Sequence, residues 1–392
     1  MNYHIMVDDK FIDGFINDAE KISTINTNTY FINGKKENSV HVKNSIVKWI
    51  SFRDKDFINI VKNITKNDKV IIHWYDLKTG LFILKHLNKE VTLYVALWGG
   101  EFYEDPYLYH INWIHDKKTL EFVKNNNIVP EKYNKKFYFF FKKLWIQLTY
   151  KSKAEKLFKQ KIGTIKRINK LLLPKHNEAE ISLIKKIYNL NQLDFLDFNY
   201  DQNVDLASFI NIENKKREDN ITNIQIGNSA TESNNHVDAF DVLNQFKNEN
   251  IELVLPMSYG NHKYNHFVKK YGNFNFKNKI KFLEDFVPRA EYIQQLMEVD
   301  VCVMYHNRQQ AFGNCVPLLI LGKKLYLKKE NPLYSFFKSI GVVVFNANEI
   351  KDLDFDSFKK ELTPEEKNTN KIILTNLFSE EERLKYLSKI LN

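Results

Sequence analysis

The sequence predicts an α/β protein built on parallel sheets, and three observations carry that expectation. The first is the stretch from Val299 to Phe345. An apolar run (Val299 to Tyr305) stops at a polar loop (His306 to Asn314), a helical segment follows (Val316 to Leu321), and a second apolar run (Lys324 to Leu327) comes next. A further polar loop, Lys328 to Pro332, leads through an amphipathic segment to a third run, Val342 to Phe345. Strand, loop and helix in repetition call for a parallel sheet with helices on its faces. The second observation is that the same rhythm occupies the first half. The third is size: 392 residues exceed one ordinary domain, and a 43% hydrophobic share suffices for sizeable cores.

In the first half, Tyr3 to Val7, Thr29 to Ile32, Ile46 to Ile50, Val70 to Trp74 and Val91 to Trp98 read as strands. Phe11 to Ile22, Phe57 to Ile64 and Thr79 to Leu87 have helical spacing. Ile162 to Leu173 reads as a returning strand and Glu178 to Tyr188 as a helix, and 194–219 is irregular enough to hold a linker. The second half opens with a strand at Ile221, a Gly-Asn-Ser loop and a helix capped by Ser233 or Asn234. Strands at Ile251 to Leu255 and Lys279 to Phe282, then a helix at Ala290 to Met297, complete it. The expected division is 1–200 and 201–392, with the last helix (Glu380 to Leu391) a candidate to return to the first domain.

Composition narrows the function. Of the net charge of +10, residues 132–175 carry more than all, with 14 Lys or Arg against the single acid Glu155. A local basic stripe points to an anionic partner. Tyr133 to Tyr150 is aromatic as well as basic, with five aromatic residues in a row at Phe137 to Phe141. That composition suits an anionic membrane surface; a plain core with a solvated face and a nucleic-acid surface are the other readings. Cys302 and Cys315 lack CxxC spacing, which argues against disulfide frameworks and zinc sites and fits a reducing compartment. The amino terminus lacks the pattern of a signal peptide, and no apolar run reaches the ~18 residues of a membrane span.

Ligands of parallel sheets bind at the loops leaving the carboxyl ends of strands. Gly227, Asn228 and Ser229 form such a loop, where close backbone approach and a helix amino terminus suit a diphosphate. It is neither GxGxxG nor a P-loop. Arg308, in HNRQQAFGN, can grip a phosphate through two parallel hydrogen bonds. Glu330 and Asn331 occupy the equivalent place one unit later, where a carboxylate can accept from sugar hydroxyls. Glu101, in Trp98-Gly99-Gly100-Glu101, is the first candidate for a general base, with Asp9 and Asp8 as weaker rivals. No His or acid spacing suggests a metal site.

The loops IGNSATESNNHVDAF, LVLPMSYGN, HNRQQAFGN and KKENPLY resemble, in order and spacing, the 4-acetamido-4,6-dideoxygalactose (Fuc4NAc) transferases. These enzymes act on undecaprenyl-diphosphate-linked glycans. The resemblance covers roughly 221–345 and extends weakly to Trp98-Gly99-Gly100-Glu101-Phe102-Tyr103-Glu104, with Glu101 in place of that family's Asp. The basic aromatic insertion departs from the family. The resemblance implies the GT-B architecture, two Rossmann-like α/β domains facing a cleft. It implies a nucleotide-sugar donor, dTDP-linked, in the second domain and a lipid-linked or glycan acceptor in the first.

The expected protein is thus a peripheral glycosyltransferase of surface polysaccharide synthesis on the cytoplasmic face of the bacterial inner membrane. It would bind no nucleic acid and need no cofactor or metal. The diphosphate would lie on the N–H groups of Gly227 to Ser229 and against Arg308. Tyr259 would meet base or ribose, and Gln309, Gln310, Asn314, Glu330 and Asn331 the sugar and phosphates. Glu101 would be the base of an inverting reaction, with Asp9 in reserve. The alternatives are a polyol-phosphate transferase of the same architecture and a non-catalytic nucleic-acid-binding protein.

Overall fold

The structure is a computed structural model describing residues 1–24, 27–99, 114–126, 128, 155–174, 176, 178–190, 193–200, 209 and 220–392, except the side chains of 178, 179, 183, 187 and 289. Glu101 and the aromatic stretch 133–150 lie outside the described residues. Those described form two all-parallel sheets, borne out as the two α/β domains the strand–helix alternation predicts.

The first sheet contains β1 (Asn2–Met6), β2 (Asn28–Asn33), β3 (Lys48–Ile50), β4 (Lys69–His73), β5 (Thr92–Ala96), β6 (Lys170–Leu173) and β7 (Asp194–Asp197), in the order β3-β2-β1-β4-β5-β6-β7. The second contains β8 (Thr222–Ile226), β9 (Ile251–Pro256), β10 (Ile280–Leu283), β11 (Val301–Met304), β12 (Lys324–Leu327) and β13 (Phe345–Asn346), in the order β10-β9-β8-β11-β12-β13. Both sheets start in the middle, wind outward, then return to the other side. The reversal falls between β1 and β4 in one and between β8 and β11 in the other, where connections leave in opposite directions and open a crevice. Every residue of β11 and β12 is buried, as expected for strands covered on both faces.

The chain forms two compact units that are not consecutive halves. The first comprises residues 1–108, 137–203 and 378–392, and the second 109–136 and 204–377. The helix Lys117–Asn125 joins the second unit because Asp238 accepts hydrogen bonds from the backbone N–H groups of Lys118 and Thr119 and from the Thr119 hydroxyl.

The terminal helix Glu380–Leu391 belongs to the first unit. Ser379 caps it, and Leu387, Ile390 and Leu391 enter the core with Ile12, Phe15 and Ile16. Arg383 donates to both oxygens of Asp18, at 2.6 and 3.3 Å. Asn2 donates to the Leu391 carbonyl at 3.1 Å, and Lys69 to that of Ile390.

Several local expectations need correction. Residues 155–165 are helical, so only Lys170–Leu173 of the returning segment is strand. The irregular stretch contains β7, whose Asp-Phe-Leu-Asp has too few apolar residues to stand out. The third apolar run shortens to Phe345–Asn346 because the Asn370 side chain takes both the N–H and the carbonyl of Val343. Neither Ser233 nor Asn234 caps the helix His236–Leu243. Asn235 holds that position in the left-handed region at φ 51°.

Arg383→Ala strands the nearly buried Asp18 carboxylate. Removing one partner of a buried pair costs about 3 kcal/mol or more, so the urea midpoint of this variant should fall. An unchanged midpoint would show that the apolar face alone holds the terminal helix.

Candidate functional site

The second unit concentrates polar side chains at the crevice between β8 and β11. Gly227, at φ +65°, turns the chain off β8, and its N–H donates to the carbonyl of Val303 on β11 at 3.1 Å. A Cβ there would lie 2.4 Å from Asn234 Oδ1 and 2.8 Å from His236 Nε2, so glycine is required for space as well as conformation. The wholly buried Asn234 joins the two loops. Its Oδ1 accepts from the Asn228 N–H at 2.9 Å and from His306 Nε2 at 2.8 Å. Its Nδ2 donates to Ser229 Oγ (3.2 Å), Thr231 Oγ1 (2.8 Å) and the Thr231 carbonyl (3.1 Å). A backbone N–H and a backbone carbonyl fix which end of the amide is which, and hence the Nε2–H tautomer of His306.

Gln310 ties this platform to Arg308. Its Oε1 accepts from Arg308 Nε at 3.0 Å and from the Ser233 hydroxyl at 2.6 Å. Its Nε2 donates to Asn228 Oδ1 at 3.0 Å and Thr231 Oγ1 at 3.2 Å. Asn228 Nδ2 in turn donates to the Tyr259 hydroxyl at 3.0 Å. Burial raises the Tyr259 phenol, while hydrogen bonds to Ser229 and Asn228 and the Arg308 charge pull it back. Arg308, Asn228 and Tyr259 therefore belong to one electrostatic neighbourhood. The helix Phe312–Ile320 begins just beyond Gln310 without a side-chain cap, after Ala311 in the left-handed region at φ 61°. Its positive end and Arg308 leave the same loop.

Some expectations change in detail. The N–H groups of Gly227 and Asn228 are engaged inside the protein, so this loop offers mainly side chains and not the run of N–H donors expected for a diphosphate. Gln309 is half-buried beside Arg308. Asn314, in the first turn of its helix, donates to the Tyr292 hydroxyl at 2.8 Å. Asn331 is wholly buried and caps the helix Pro332–Ser339 by accepting from the Leu333 N–H at 3.0 Å. Glu330 is exposed and accepts from Asn348 Nδ2 at 2.9 and 3.2 Å. Burial raises its carboxyl, but the Asn348 bond, its own N–H and the charges of Lys328 and Lys329 bring it below the usual range.

Sequence reasoning missed Lys328 and Asp116. Lys328, nearly buried after β12, meets the Asp116 carboxylate at 2.6 and 2.7 Å and lies over the Tyr305 ring at 4.8 Å. Asn307 donates to the same carboxylate at 2.8 Å. No spacing rule links residues 116 and 328. Thr231, Ser233 and Asn234 were readable as excess polarity, since GNSATESNN is longer and more polar than a turn needs.

In the first unit, Asp9 follows β1 and its Oδ1 accepts from the Phe11 N–H at 3.2 Å. Asp8 is a clamp: it accepts from the N–H groups of Val40, His41 and Val42 and from the Ser39 hydroxyl. Burial raises its carboxyl, and those four donors outweigh that and lower it, which makes it a poor base. Phe11, Trp98 and Tyr200 stand together, with ring centroids 5.4–6.0 Å apart. Beneath them the Tyr200 hydroxyl meets His73 Nδ1 at 2.6 Å, and His73 Nε2 meets His4 Nδ1 at 3.1 Å.

Among the described residues, no group of three or more His, Cys, Asp or Glu side chains could hold a metal ion, and no helix is long and apolar enough to cross a membrane.

Comparison with solved structures gives the class. Trehalose-6-phosphate synthase OtsA superposes with a TM-score of 0.58 at 9% identity, covering 100% of this chain and 98% of its own. Sucrose-phosphate synthase from Thermosynechococcus elongatus gives 0.57 at 8% identity, with 100% and 98% covered. HepE of Anabaena, in complex with UDP and glucose, gives 0.54 at 11% identity, with 100% and 99% covered. The fold is that of the GT-B glycosyltransferases. The family model described as 4-alpha-L-fucosyltransferase, glycosyl transferase group 56, matches residues 183–384, and the chain belongs to this family. It is a glycosyltransferase, as the loop motifs implied.

Burial lowers the conjugate acids of His4, His176 and His236 to about 3. The unfolded chain then binds more protons than the folded one between pH 6.5 and 3. The stability is complete above pH 6.5 and is lost as the pH falls, by about 2 kcal/mol per imidazole at pH 5. His236 is the cleanest probe, because neither ring nitrogen has a hydrogen-bond partner among the described residues. In His236→Leu, the stability lost between pH 7.5 and pH 5, read by urea unfolding, should shrink by about 2 kcal/mol. An unchanged loss would mean that His236 does not titrate this way.

Proposed function

We propose that the protein transfers a (4-acetamido-)dideoxyhexose from a nucleoside-diphosphate sugar, dTDP-linked, to a hydroxyl of a lipid-linked or surface-glycan acceptor. The observation that carries this reading is the cluster of Arg308, Gln310, Asn228, Ser229 and Thr231 at the reversal point of the second sheet. It combines a guanidinium with hydroxyl and amide groups already oriented by one another. Groups oriented before the reaction stabilise developing charge without reorganising during it.

The glycosidic bond breaks with both electrons passing to the leaving diphosphate oxygen. Arg308 and the amino terminus of the helix Phe312–Ile320 bear on the charge gained there. Gln309, Gln310 and Asn314 lie on the same loop and first turn, within the region the sugar would occupy. The acceptor oxygen forms the new bond and gives its proton to a carboxylate, assigned to Glu101 with Asp9 in reserve. No residue here requires a metal for these steps. The basic segment 132–175 supports peripheral association with an anionic membrane on its cytoplasmic face, where a lipid-linked acceptor would be met.

A thermal-shift panel of TDP, UDP, GDP, CDP and ADP, each with and without Mg²⁺, tests the donor. A ligand at 100 times its dissociation constant stabilises the folded state by about 2.7 kcal/mol. TDP should give the largest shift, unchanged by Mg²⁺, and Arg308→Ala should weaken it about tenfold or more while the free protein melts as before. No shift with any nucleotide, or full binding by Arg308→Ala, would overturn this reading.

A further inference from the structure

The loop that leaves the carboxyl end of β2, residues 34–47, turns two large apolar side chains to water. Val40 is 73% and Ile46 45% exposed. Lys35, Lys36 and Lys43 are exposed around them, and Glu37 is the single acid of the loop. We propose that this loop is a membrane-contact site that sets Val40 and Ile46 into the acyl boundary of an anionic bilayer while its lysines meet the headgroups. The inference rests on the peripheral-association reading above and adds to it a contact outside the segment 132–175.

Single exposed apolar residues are ordinary on protein surfaces. What sets this loop apart is how its backbone is held. Five successive N–H groups, from Val40 to Asn44, are taken by two carboxylates. Asp8, after β1, accepts from Val40 at 2.7 Å, His41 at 3.1 Å and Val42 at 2.8 Å. Asp13, in the first turn of the helix Ile12–Ile22, accepts from Lys43 at 2.8 Å and Asn44 at 3.1 Å. The Ile46 N–H goes to Asn44 Oδ1 at 3.1 Å, and the Ser39 hydroxyl donates to the Val42 carbonyl at 2.6 Å. Val42 and Val47, both buried, fasten the loop to the core formed with Ile12, Phe15 and Ile16.

Two consequences follow for the partner. The N–H groups from Val40 to Asn44 are already engaged, so a sugar or phosphate would find no row of backbone donors there. The same engagement lets the loop enter a layer poor in water without the cost of unsatisfied N–H groups. A tip fixed outward before contact also loses little freedom when it inserts. Three lysines against one acid then select an anionic bilayer over a neutral one.

Co-sedimentation of the full chain with phosphatidylglycerol-containing vesicles, beside pure phosphatidylcholine vesicles, tests the site. Val40→Asp should weaken binding to the anionic vesicles about tenfold or more, the worth of burying one such side chain. Lys36→Gln and Lys43→Gln should each weaken it about fivefold. Melting temperature and nucleotide binding should match the wild type in all three. In Val40→Cys, a polarity-sensitive dye on the new thiol should brighten and shift to the blue with anionic vesicles. Cys302 and Cys315 are wholly buried, so the label falls on position 40. If the wild type sediments with the vesicles while Val40→Asp binds equally well, or the dye does not respond, the contact lies elsewhere. This inference then falls, and peripheral association through 132–175 stands. A wild-type dimer that Val40→Asp splits would assign the loop to a second copy and also overturn it. A wild type that binds no anionic vesicle would remove both membrane readings and leave the transferase reading to its nucleotide test.

Discussion

The candidate donor site depends on the amide of Asn234. This buried side chain has five polar contacts, one N–H being shared between two acceptors, and they reach both sides of the crevice: the loop after β8 through Asn228, Ser229 and Thr231, and the loop after β11 through His306. A bridge between Ala230 and Gly260 ties the loop after β8 to the loop after β9, and the Asn234 amide ties it to the loop after β11. Each unmade bond in such a place costs the desolvation of a buried polar group, about 1–3 kcal/mol. The amide therefore selects one arrangement of the two loops. Gly227 makes room for it, and Gln310 carries the same order out to Arg308.

That arrangement explains why so polar a cluster can exist at the end of an apolar sheet. The strands β11 and β12 are buried throughout, and the polar ends of Lys324 and Tyr326 are satisfied by the carbonyls of Ser357 and Phe358. The polar cluster lies at the carboxyl edge, where the winding of the sheet reverses and the backbone opens. His306 and His236 below the loops remain neutral: burial lowers both, and for His306 the charge of Arg308 and the neighbouring His236 add to it. Neutral imidazoles beneath Arg308 add no positive charge to repel its guanidinium.

The sheets were largely legible from sequence because their strands are dense in Val, Ile and Leu between polar loops. The places where reading failed have local physical causes. Asp194–Asp197 is a strand with acids at both ends, so it carries little apolar signal. Val342 to Phe345 looks like a strand, but a side chain from 27 residues away satisfies Val343 in place of a neighbour. Arg308, Asn228 and Tyr259 were named because loops after strands are where ligands bind, and hydrogen bonds link them through Gln310. Asn234 looked like a helix cap, since its partner His306 is 72 residues away and pairings of that range leave no spacing pattern. The Lys328–Asp116 pair was invisible for the same reason, across 212 residues. The resemblance of the loops reached the family, whereas the contacts of Asp238 that place Lys117–Asn125 in the second unit follow no local pattern.

Asn234 orients the loops of the candidate donor site from a wholly buried position. The direct measurement is the TDP dissociation constant of Asn234→Ala by calorimetry, beside the wild type, with folding confirmed by a cooperative melt. Affinity should fall about tenfold or more in a folded protein. Wild-type affinity in a folded Asn234→Ala variant would contradict it and show that the loops hold their arrangement by other means.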